Sequence, residues 1–220
     1  MKVLSGISVV ALLLAGAVAT PSFATSLTPG NIVVPAVTGT GGFAALANTG
    51  VVPFSFGGDT GIVQEAVGTY AGNPFGASDL TFVFQVGVTA GNIVNLTTQS
   101  FAIPGISIDV LQFNGALSAG FGGGPFTQAV SASLTSNGQV LGFGFTPPNG
   151  LTAGMTSYIL IINTNQTLFE SGVYSLQDGQ TQNFEGFVPT ASTPEPGSLA
   201  LLGTGLLGLA GVARRRLFHK

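Results

Sequence analysis

The sequence predicts an all-β fold: an antiparallel β-sandwich of about 8–10 strands with an apolar helix at each end of the chain. Three observations predict it. Apolar and polar residues alternate with period two in a series of short runs between residues 61 and 187. Dipeptides of Asn, Asp and Gly, which tolerate positive φ, separate those runs. No long stretch of the body shows the 3.6-residue period of an amphipathic helix.

Taken in order, Thr38 to Gly50 is Gly/Ala/Thr-rich and reads as a loose arm or an edge strand. Gly61 to Tyr70 is a weaker strand candidate. Leu80 to Thr89 is the clearest strand, with Leu80, Phe82, Phe84, Val86 and Val88 on one side and mainly polar residues on the other. Ile93 to Ser100, Ile106 to Phe113, Val130 to Leu134, Val140 to Phe145, Tyr158 to Asn163, Val173 to Leu176 and Asn183 to Phe187 follow the same pattern. Asn114-Gly115, Asn137-Gly138, Asn149-Gly150 and Asp178-Gly179 mark turns, and Thr135 to Gln139 is the best single hairpin. Residues 115–127 read as a long flexible loop, and Pro147-Pro148 marks another connection. A right-handed β-helix is the rival architecture, but no repeat at fixed period supports it. The core needs no staples: 15 of the 17 Phe fall between residues 25 and 193, and the chain has no Cys.

The first 24 residues read as a secretory signal peptide. Lys2 supplies the positive end, Val3 to Ala19 the apolar run, and Thr20-Pro21 the break. Ser22-Phe23-Ala24 places small residues at −3 and −1, so cleavage is expected between Ala24 and Thr25 by signal peptidase.

The C-terminus has three parts after an extended linker, residues 188–193. Pro194-Glu195-Pro196 comes first, then an uncharged stretch from Gly197 to Ala213, then Arg214, Arg215 and Arg216. As a helix the 17-residue stretch would span about 25 Å, the lower limit for crossing the inner membrane. Arginines after a span mark its cytoplasmic side, leaving the body outside, as the signal peptide also requires. Residues 194–220 resemble the PEP-CTERM sorting tail of Gram-negative bacteria, although Leu217 to Lys220 extend past the arginines where that pattern usually stops. The resemblance implies recognition and cutting by an exosortase, with transient anchoring of the precursor through residues 197–213. It further implies delivery to the cell surface or the exopolysaccharide matrix.

The composition of the body excludes most catalysis. Only 6% of the chain is charged, against about 25% in typical soluble domains. Residues 25–193 hold no Lys, Arg, His or Cys and seven acids, a net −7: Asp59, Glu65, Asp79, Asp109, Glu170, Asp178 and Glu185. A Ser-His-Asp triad lacks its base, and Schiff-base or Ser-Lys chemistry lacks its lysine. Zinc sites lack their ligands, and nucleic acid is repelled. A carboxylate pair acting on a glycosidic bond and a calcium site from dispersed oxygens survive elimination, without a telling constellation for either. Tyr70, Tyr158 and Tyr174 fit core packing better than sugar stacking. The run Tyr158 to Ile162, free of guarding charges, suggests strand pairing between copies. The expectation is a non-enzymatic exported protein without cofactor or metal. A carbohydrate-binding module, with or without calcium, is the alternative.

Overall fold

A computed structural model describes residues 25–38, 42–145, 150–191 and Thr204. The signal helix expected over residues 1–24 lies outside them, as do residues 192–203 and 205–220 of the tail. Thr204 falls in a helix. Among the described residues no helix is long and apolar enough to cross a membrane.

The body is all-β. Its strands are β1 (Ile32–Val33), β2 (Ala36–Val37), β3 (Phe43–Asn48), β4 (Val52–Phe56), β5 (Asp59–Tyr70), β6 (Leu80–Ala90), β7 (Asn92–Ile93), β8 (Asn95–Thr98) and β9 (Ile108–Phe113). They continue as β10 (Phe126–Thr127), β11 (Ser131–Leu134), β12 (Leu141–Gly144), β13 (Leu151–Thr152), β14 (Thr156–Ser157), β15 (Ile159–Thr164), β16 (Leu168–Asp178) and β17 (Gln180–Thr190). One sheet has the order β1-β11-β12-β8-β16-β17, antiparallel throughout. The other has the order β10-β14-β6-β15-β9-β2, with β5 added beside β6 and both β3 and β4 on the far edge of β5. Two of its pairs, β10 with β14 and β2 with β9, are parallel, so this sheet is mixed.

Both sheets contribute to one apolar core. Val63, Val67, Phe82, Phe84, Val110, Leu160 and Ile162 of the mixed sheet pack with Leu96, Leu141, Phe143, Tyr174, Leu176 and Phe184 of the antiparallel one. Phe84 meets Tyr174 edge-on at 5.6 Å, and Tyr174 stacks on Phe184 at 5.3 Å. Such ring pairs add to the burial that drives the sheets together. A second cluster occupies the outer face of the mixed sheet around Val83, Leu111, Ile159 and Ile161. Strands β6 and β15 are therefore buried on both faces, which is why their sequences read as continuous apolar runs.

Several elements depart from the sequence reading. The weak candidate Gly61 to Tyr70 is a 12-residue strand that pairs on both sides. The segment read as arm or edge strand contains edge strand β3. Strand β4, unmarked in the sequence, carries Pro53, which an edge strand accommodates because one flank needs no donor. Strand β17 runs to Thr190, three residues into the expected linker. The run Tyr158 to Ile162 does not offer an edge for pairing between copies: Ile159 to Ile162 are at most 4% exposed, and β15 lies between β6 and β9.

The start of the loop 115–127 is pinned rather than free. Gln85 Nε2 donates to Gly115 O at 2.7 Å, and Leu117 N–H donates to Gln85 Oε1 at 2.6 Å. Ser118 Oγ donates to Gln64 Oε1 at 2.7 Å, and Phe121, in a 3₁₀ turn over Ala119–Phe121, is buried. The Thr135 to Gln139 hairpin forms as expected, with Gly138 at φ 72° and its N–H bonded to Thr135 O at 2.8 Å.

Candidate functional site

Strands β3 and β4 pair one after the other with the same edge of β5. Asn48 faces Ala66, and Val52 faces Val63, leaving a break opposite Gln64 and Glu65. Thr49 fills it. Its N–H donates to Glu65 O at 3.0 Å, and its Oγ1 accepts from Glu65 N–H at 3.1 Å. The backbone of Glu65 is thus satisfied where the strand partner changes.

The side chain of Glu65 shares the inward face with Val63 and Val67, so it enters the space between the sheets. It is fully buried. Oε2 accepts from Phe187 N–H on β17 at 3.0 Å, while Oε1 has no partner. Gly186 makes this approach feasible, because a Cβ there would overlap the Glu65 carboxyl and the Tyr174 ring. Burial pushes the Glu65 pKa up to about 8, with the Phe187 N–H opposing. The carboxyl is therefore protonated at neutral pH. The Tyr174 hydroxyl is buried without a full hydrogen bond, and burial, then the Glu65 charge, raise its pKa.

A cleft of about 750 Å³ lies above this cluster, lined by Thr49, Val52, Ser171, Phe184, Glu185 and Phe187 among others. Glu65 is sealed beneath it, so its proton meets no solute in the cleft. Glu185 is the exposed carboxylate on the lining. The arrangement ties β5 to β17 across the core. It does not present a paired acid and base to a bound sugar.

Asp109 is the second buried carboxyl of note, 1% exposed. It belongs to a polar row on the outer face of the mixed sheet. Asn163 Nδ2 donates to Asp109 Oδ2 at 2.9 Å, and Thr81 Oγ1 donates to Asn163 Oδ1 at 2.8 Å. Asn73 Nδ2 reaches Thr81 Oγ1 at 3.3 Å. The register of β6, β15 and β9 lines up Thr81, Asn163 and Asp109. Burial raises the Asp109 pKa, opposed by Asn163 and by the Thr25 N–H. Among the described residues no group of three or more His, Cys, Asp or Glu side chains could hold a metal ion.

Of the residues singled out in the sequence, Thr25 opens the described chain, with its carbonyl accepting Val110 N–H at 3.1 Å. Ala24, Pro194, Glu195, Pro196, Arg214, Arg215 and Arg216 lie outside the described residues. Tyr70 and Tyr174 are buried, and Tyr158 is half-buried with its hydroxyl 3.4 Å from Gln128 Nε2. The special position of Glu65 did leave a sequence signal: an acid between Val63 and Val67 on one face of an alternating run. Asp109 left a similar one beside Ile108 and Val110, but the ladder that receives it depends on distant strands.

The described chain is thus an all-β body whose last strand ends at Thr190, followed by a separate C-terminal unit from Ala191 to Lys220. Residues 192–216 match the family model of the PEP-CTERM protein-sorting motif, and the chain carries that motif. The match spans Pro194-Glu195-Pro196 and the three arginines. No curated protein and no solved structure matches the chain significantly. The motif is a sorting signal that supports export and implies an exosortase as the processing partner of a membrane-anchored precursor.

Proposed function

We propose that the chain is a non-enzymatic protein of the bacterial cell surface or exopolysaccharide matrix. Signal peptidase cuts between Ala24 and Thr25, and an exosortase removes the hydrophobic tail. The β-sandwich body is what reaches the destination. The sorting motif over residues 192–216, directly behind the last strand, carries this reading. The body supports it by holding no Lys, Arg, His or Cys and by sealing its most perturbed carboxyl, Glu65, away from the cleft. Intact mass of the protein from cells with and without an exosortase tests it. Loss of both ends is expected in the first case. Retention of Arg214 to Lys220 in exosortase-positive cells overturns it.

A second reading is carbohydrate binding in the cleft. It is favoured by Thr49 and Ser171 beside the rings of Phe184 and Phe187. A glycan array on the exported protein, with and without calcium, is expected to show cleft-dependent binding that Ser171→Trp abolishes. No signal on any glycan removes this reading and leaves the first intact.

A further inference from the structure

We propose that the new N-terminus made by export is itself part of the structure: the Thr25 ammonium pairs with the buried Asp109 carboxylate and locks the start of the mature chain onto β9. This rests on cleavage between Ala24 and Thr25.

The first described residues lie beside β9 in antiparallel fashion. Val110 N–H donates to Thr25 O at 3.1 Å, and Leu27 N–H donates to Ile108 O at 2.9 Å. Ser26 bridges Asp109 between them. These bonds bracket Asp109 and fix where the Thr25 nitrogen sits. That nitrogen interacts with the Asp109 carboxyl.

The carboxyl is incomplete as it stands. Oδ2 is held by Asn163, and Oδ1 has no partner although the residue is 1% exposed. A buried carboxylate oxygen without a donor is costly. Asn163 on β15 bonds Asp109, and the hydrogen-bonded row continues from it through Thr81 on β6 to Asn73 in the turn after β5, none of which carries charge. No side chain between residues 25 and 193 is a cation. The α-ammonium is therefore the one positive group that the mature body can bring to this site.

Cleavage supplies it with balanced chemistry. Water adds across the Ala24–Thr25 amide, its hydroxyl going to the Ala24 carbonyl and a proton to the Thr25 nitrogen. At neutral pH the Ala24 acid releases a proton and the amine takes one up. An amide with a single N–H becomes an ammonium with three donors and a full charge, which is the partner Oδ1 lacks. The precursor holds this segment by its backbone bonds and by the neutral Thr25 amide N–H at the carboxyl. The mature chain adds an ion pair, so maturation tightens the N-terminal edge of the mixed sheet.

The composition makes the test unusually clean. A body without lysine has one amine, the N-terminus, once both ends are removed. Exported protein is purified, its first residue is read by intact mass, and its amine is labelled with an acetylating ester across pH 6–10, folded and in urea. A free α-amine has a pKa near 7.7–8.0. Pairing is expected to raise the turnover of the labelling rate by about one unit, slowing labelling about tenfold at pH 7. Asp109→Asn, which keeps a carbonyl for Asn163, is expected to bring the rate within about twofold of the unfolded chain. Mere burial would lower the turnover pH instead. A Thr25 start with an unshifted or lowered turnover overturns the pairing alone. A different first residue overturns the cleavage site and the pairing together, while the exosortase reading stands. If Asp109→Asn does not fold, the folded and unfolded profiles of the wild-type chain still decide.

Discussion

Glu65 shows how one side chain can couple a fold to pH. Its carboxyl ionises near 4.5 in an open chain and near 8 in the folded one. Above the lower value the unfolded chain gives up a proton that the folded chain keeps. Stability from this group is complete below about pH 4.5, falls by at most about 1.4 kcal/mol per pH unit between the two values, and is lost above about 8. Glu65→Gln keeps an acceptor for Phe187 N–H and removes the titration. The stability difference between the variant and the wild type, from urea melts at each pH, is expected to be flat below pH 4.5 and to grow in the variant's favour toward pH 8. A difference independent of pH would refute the buried protonated carboxyl. Gly186 serves the same contact. Its φ is unexceptional, so its importance is space: Gly186→Ala pushes a methyl group into the Glu65 carboxyl and the Tyr174 ring. A loss of about 1–3 kcal/mol is expected in the same melts.

Among elements, the loop 115–127 shows where period-two reading stops working. Its composition, Gly120-Phe121-Gly122-Gly123-Gly124-Pro125, reads as a mobile connection. Its anchoring depends on Gln85, a residue about thirty positions earlier that faces outward from the middle of a buried strand. Gln85 also donates to Ser157 O at 2.9 Å, so one amide holds the loop and the entry to β15 together. Gln85→Leu preserves volume and strands Leu117 N–H without its acceptor. A loss of about 1–3 kcal/mol is expected, with chymotrypsin cutting near Phe121 in the folded variant and sparing the wild type. Equal cutting in both would show that the amide does not hold the loop. The same contrast governs the rest of the fold. Leu80 to Thr89 and the Asn137-Gly138 hairpin were legible because their information is local. Strand β4, the break filled by Thr49 and the row Thr81–Asn163–Asp109 were not, because pairing across the sheets creates them. The tail was legible because a sorting motif is defined by local sequence.

At the scale of the whole molecule, charge is scarce and unevenly placed. Of the seven body acids, Asp59, Glu65 and Asp109 are buried. Asp79 is partly exposed, while Glu170, Asp178 and Glu185 all belong to the hairpin of β16 and β17. That hairpin forms one edge of the antiparallel sheet, and its carboxylates guard it. The opposite edge is β1, where Ile32 is 74% exposed and nearby Val34 is 69% exposed. No lysine protects either edge. Most proteins gain positive charge in acid and repel one another. This body has no basic side chain to do so, and after protonation of its carboxylates only the N-terminal ammonium remains. The exported protein is therefore expected to be dispersed at pH 7 and to associate through its sheet edges near pH 3 without losing its β structure. Sedimentation velocity and circular dichroism at the two pH values check this. The charge-removing triple variant Glu170→Gln, Asp178→Asn, Glu185→Gln is expected to associate already at pH 7. A species that stays monomeric at pH 3 with native circular dichroism would show that the edges are closed by packing and that the carboxylates of the β16–β17 hairpin guard nothing.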